Sequence, residues 1–124
     1  MPVVFGQLAL NGIHTTHTEI LVDTGAATTW APTMLAIQLG VPLEGTPVPS
    51  GLFDANDQPM HGHPYLVDLV LPRIPPFKET VWFSAGSTQV LLGQKTALET
   101  LGATFLNHSG ARNGRRFSLF RSRF

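Results

Sequence analysis

The 124-residue chain contains no cysteine, so it forms neither disulfides nor thiolate metal sites and offers no thiol nucleophile. No stretch approaches the roughly 20 uninterrupted apolar residues of a membrane span, and the N-terminus lacks the basic region, apolar core and small-residue cleavage site of a secretory leader. These absences lead to the expectation of a soluble, cytoplasmic protein without a membrane segment. Charge is also sparse, at 13% of residues, and no acid follows Glu99. Residues 1–100 hold eight carboxylates against three basic residues, a net charge of −5, whereas residues 101–124 hold five arginines and no acid, a net charge of +5. A basic tail on an acidic body can bind nucleic acid. Here Arg112, Arg115, Arg116, Arg121 and Arg123 flank Phe117, Leu119, Phe120 and Phe124, a spacing that keeps an exposed strand soluble. Nucleic acid is therefore not an expected partner.

Proline and glycine are plentiful, ten and twelve residues respectively, and cut the chain into short pieces in which β-branched and aromatic residues recur. One mostly β domain over residues 1–124 is the expectation. Val3 to Leu10 reads as a strand, Asn11-Gly12 as a two-residue type I′ turn, and Ile13 to Val22 as the returning strand. Pro32 to Leu39, closed by Gly40, reads as one or two helical turns. The Gly- and Pro-rich stretch 44–64, with Asp54-Ala55-Asn56-Asp57 near its middle, reads as a long hairpin. Tyr65–Leu71, Thr80–Phe83 and Val90–Leu92 follow as strands, and Gln94 to Leu101 as a short helix capped by Gly102. Thr104–Leu106 and Phe117–Phe120 read as a last pair of strands.

The five histidines suggest a metal site only at first sight. His14 and His17, three apart on a strand, point to opposite faces. His61 and His63 share a face, but no third ligand accompanies them. They read as solvated side chains, and neither a metal nor any other cofactor is expected.

Asp23 ends the run Ile20-Leu21-Val22-Asp23-Thr24-Gly25-Ala26, an acid at the point where Gly25 breaks a strand. Asp and Gly are common turn residues, so the tripeptide alone carries little. A second element, Leu91-Leu92-Gly93, recurs about seventy residues later before a predicted helix. Together the two elements resemble the retropepsin family, the retroviral and retrotransposon proteases with their cellular and bacterial relatives, over nearly the whole chain.

The resemblance implies a closed or sandwich-like acid-protease fold with a flap at about 50–64, one short C-terminal helix, and dimer-interface or tail strands at about 104–124. It implies an aspartic endopeptidase acting on a peptide or protein substrate. Hydrolysis without a metal or a covalent nucleophile needs one carboxylate to take a proton from water and another to protonate the carbonyl. The chain has one Asp-Thr-Gly; a homodimer supplies the second through a two-fold axis beside Asp23. Such a dyad shares its proton and favours acidic pH.

In the family pattern Thr24 bonds across the dimer, Gly25 lets substrate backbone approach, and Ala26 completes the loop. Phe53, Asp54 and Ala55 would lie at the flap tip, Ala27 and Trp30 beside the substrate, and Leu91 in the neighbouring pocket. Two positions depart from that pattern. Ala27 and Gln94 stand where retroviral proteases commonly have an acid and an arginine that pair, so both charges are absent together and substrate grip is expected to change. Trp30 replaces a smaller aliphatic residue, and either reshapes a pocket or turns into the core. A rival reading is a retropepsin-fold dimerisation or peptide-binding module without turnover.

Overall fold

In the computed structural model the described residues are 3–22, 26–97 and 99. Asp23, Thr24 and Gly25 lie outside them, as do the predicted end of the C-terminal helix and the predicted strands at 104–106 and 117–120.

The chain is mostly β. The elements run β1 (Val3–Leu10), β2 (Ile13–His14), β3 (Thr18–Val22), β4 (Thr29–Pro32), α1 (Thr33–Leu39), β5 (Val48–Phe53), β6 (Pro59–Val70), β7 (Phe77–Ser84), β8 (Val90–Leu92) and α2 (Gln94–Thr96). Strand order is β2-β1-β3-β8-β4-β7-β6-β5, and β1 also pairs with β6. That extra pairing, Gln7 opposite Val70 to Ala9 opposite Asp68, closes a barrel of six strands. Closure brings two backbones unusually near each other: a Cβ on Gly6 would lie 2.6 Å from the Val70 carbonyl oxygen, so only glycine fits there.

The first hairpin turns at Asn11 and Gly12, with φ of 51° and 82°. This is the double positive φ of a type I′ turn. The return differs from the single strand expected over residues 13–22. Ala9 opposes His14, but Gly6 opposes Thr18, so the returning strand carries one extra residue and is interrupted at 15–17. Thr15 explains the break. Its side chain is 2% exposed, its hydroxyl accepts the Leu8 N–H at 3.0 Å, and its own N–H donates to the Leu8 carbonyl at 2.9 Å. A side-chain oxygen thus stands in for a strand carbonyl, as in a bulge.

The barrel interior is filled by alternate residues of each strand: Leu8, Ile20, Val22, Ala31, Val67, Leu69, Val81, Phe83, Val90 and Leu92 are buried. Helix α1 closes the barrel with Leu35, Ala36 and Leu39, leaving Met34 and Ile37 exposed. Its end is a Schellman cap, in which Val41 N–H donates to the Ala36 carbonyl at 2.9 Å and Gly40 N–H to that of Ile37 at 3.2 Å. Among the described residues no helix is long and apolar enough to cross a membrane.

Candidate active site

Consecutive strands β3 and β4 are not neighbours. β8 lies between them, parallel to β3 through Ile20–Val90, Leu21–Leu91 and Val22–Leu92, and antiparallel to β4 through Trp30–Leu91. The chain that links Val22 to Thr29 therefore connects strands on either side of β8. Within that link the described part, Ala26 to Thr28, is tied to the residues that follow β8. Gln94 N–H donates to the Ala26 carbonyl at 2.7 Å, and Gly93 N–H donates to the Thr29 hydroxyl at 3.0 Å. A Cβ on Gly93 would lie 2.7 Å from the Thr28 carbonyl carbon and 2.9 Å from its Cα. Glycine at 93 thus permits the contact between two elements that sequence alone can only set side by side.

Beneath this junction lies an acid that the sequence does not single out. Glu79 on β7 is two residues from Val81 and four from Phe83, so it shares their inward face. Its Oε2 accepts the Thr29 hydroxyl at 2.5 Å and the Thr96 hydroxyl at 2.6 Å. Thr29 is 2% exposed and both donates to Glu79 and accepts from Gly93. The continuous path Gly93 N–H to Thr29 to Glu79, joined by Thr96, binds β4, β7, β8 and α2 together. Nothing local marks Glu79. Its one sequence signal is an acid in phase with two core residues of a strand.

The opposite face of the same strands is apolar. Trp30 opposes both Leu91 and Trp82, so the three side chains share one face, directed away from the barrel interior occupied by Ala31, Phe83 and Leu92. The Trp30 and Trp82 rings are 5.6 Å apart and tilted by 31°, a separation within the range of interacting aromatic pairs. A Cβ on Gly62 would lie 3.2 Å from the Trp30 ring, so the indole reaches beneath β6. Trp30 is 2% exposed. The ring is buried, but on the face away from the barrel interior.

Strands β5 and β6 form the long hairpin, which starts at Val48, two residues before the expected flap. Asp54 shapes its tip: Oδ1 accepts the N–H groups of Asn56 at 2.8 Å and Gln58 at 3.0 Å. This is the side-chain turn that Asp favours. Phe53, Asp54 and Ala55 are exposed at the tip, Ala27 is exposed beside the junction, and Leu91 is half-buried. The structure thus brings Trp30 and Leu91 together and leaves the hairpin tip as a separate exposed group.

Ser50 fastens the hairpin base, donating to the Met60 carbonyl at 2.9 Å and accepting the Leu52 N–H at 3.1 Å. His63 Nε2 lies 3.2 Å from the Gly45 carbonyl oxygen. Among the described residues no three His, Asp or Glu side chains stand together as a metal site would require. The Thr28 hydroxyl is buried without a hydrogen-bond partner among the described residues.

Comparison with known proteins finds no family model that matches the chain, and no curated protein matches it.

Proposed function

We propose that the chain is one protomer of a homodimeric aspartic endopeptidase of retropepsin type, with Asp23 of each copy forming the dyad that activates water. The observation that carries this reading is the junction at β8. Val22, the residue before Asp23, pairs with Leu92, the residue before Gly93. Ala26, the residue after Gly25, accepts from the amide of Gln94. The two motifs that carry the resemblance are thus braced against each other on both sides of the Asp-Thr-Gly.

The remaining features support the same reading. An exposed hairpin and an apolar face on which the half-buried Leu91 and Trp82 are backed by the buried Trp30 offer the parts that an extended peptide needs, a cover and a floor. Ala27 and Gln94 supply no charges to seat the substrate backbone, so apolar side-chain contacts carry more of the binding. One Asp-Thr-Gly per chain makes the homodimer a requirement of the mechanism.

The test is incubation of the purified chain with a diverse peptide library from about pH 4 to about pH 7, beside Asp23→Asn. Cleavage by the wild type under acidic conditions, lost in a variant that remains dimeric by sedimentation, is the expected result. Equal cleavage by both, or no cleavage by a demonstrated dimer, rejects the enzyme. Peptide binding without turnover would identify the non-catalytic module instead.

A further inference from the structure

From the carboxylate path beneath the junction, we infer that Glu79 is a positioning residue for the proposed active-site loop, an inference that rests on the endopeptidase reading. An ionised carboxylate only accepts hydrogen bonds. Both hydroxyls that reach Oε2 must therefore direct their hydrogens at it, which leaves a Thr29 lone pair for the Gly93 N–H. The direction of every bond in the path follows from the charge at its end.

The position of the path gives it its leverage. Thr29 begins β4, Gly93 directly follows β8, and Thr96 lies in α2. The three are the landing points of the segments that flank Asp23 and follow Leu-Leu-Gly. Bonds to a charged acceptor are shorter and roughly twice as strong as neutral ones, and Thr29 has almost no access to water that could replace them. Where the retroviral pattern pairs two charges at the positions of Ala27 and Gln94, this chain has an acid below the loop with two hydroxyls to hold it. Glu79 acts through Thr29 and Gly93 and does not itself touch substrate.

The experiment begins with wild type and Asp23→Asn, whose difference establishes the endopeptidase reading by itself. Glu79→Ala is then expected to lower kcat by about 100-fold, the effect of displacing a loop by about 1 Å, with KM within about threefold of wild type. Glu79→Gln, which keeps an acceptor without the charge, loses less. Thr29→Val matches Glu79→Ala, Thr29→Ser retains most of the rate, and Thr29→Val with Glu79→Ala together is no worse than either alone. Additive losses, or a kcat for Glu79→Ala within about twofold of wild type, overturn the inference.

Amide hydrogen exchange at Gly93 gives a readout that needs no activity. Faster exchange in Glu79→Gln and Thr29→Val is expected, and unchanged exchange in both overturns the inference even if Glu79→Ala fails to fold. If Asp23→Asn cleaves as well as wild type, the endopeptidase reading fails while the exchange experiment still decides whether Glu79 holds the junction.

Discussion

The amide of Gly93 and the hydroxyl of Thr29 meet at 3.0 Å although 64 residues separate them in the chain. The bond is buried, and it is made where β8 enters between β3 and β4. Any change that moves either residue moves the end of the segment that links β3 to β4, in which Asp23 lies.

Gly93→Ala tests that relationship by steric means. The added methyl would meet the Thr28 backbone at 2.7 Å, and backbone cannot swing away as the end of a side chain does. The expected outcome is a loss of about 2 kcal/mol or more of stability, within the range of overpacking, together with lost cleavage. Urea unfolding followed by tryptophan fluorescence measures the first, and the peptide assay the second.

Trp30→Ala removes a large side chain that is 2% exposed and lies between Trp82 and the strand bearing Gly62. Truncating a buried aromatic of this size costs about 3 kcal/mol or more. Denaturant unfolding at constant protein concentration checks it. In the endopeptidase reading the same variant also accepts bulkier substrate side chains, visible as new cleavage sites in the peptide library.

Thr15→Val separates the hydroxyl from the shape of the side chain. Leu8 N–H would lose its acceptor inside the protein, and an orphaned buried donor costs about 1–3 kcal/mol. Thermal unfolding of the variant should show that loss with little change in secondary structure by circular dichroism.

Thr28→Val makes the opposite case. Its hydroxyl is buried and has no partner among the described residues, so exchanging it for a methyl leaves stability unchanged or raises it by up to about 1 kcal/mol. A fall of more than about 1 kcal/mol in thermal unfolding would instead give the hydroxyl a partner in the assembled protein.

Local chemistry made some elements legible. Asn11-Gly12 places the first hairpin, Gly40 ends α1, and the alternation from Tyr65 to Leu71 marks the buried face of β6. The interruption at Thr15 was not legible, because threonine is also a good strand residue and only its bond to Leu8 distinguishes the two uses. The neighbours of β8 were not legible either: three residues, Val90 to Leu92, show that a strand is short and buried without showing what it pairs with. Glu79 escaped for the same reason. Its partners lie 50 and 17 residues away, and no local pattern marks their meeting. At the candidate site, the motif residues and the apolar positions Trp30 and Leu91 were named from sequence. The shared face of the latter two, and the carboxylate below the loop, needed the strand register.

The place of β8 in the sheet also orders events during synthesis. Strands β3 and β4, already paired with β1 and β7, each gain a second neighbour only when Val90–Leu92 arrives, and β1 cannot close the barrel before β6 has been made. Pairings between such distant segments form late and slowly. A nascent chain that stops short of β8 therefore leaves Ile20–Val22 and Thr29–Ala31 as unsatisfied apolar edges, open to aggregation. The ribosome must deliver the chain as far as Gln94 before the Asp23 segment acquires its brace, so a polypeptide that is only part-made is a folding hazard.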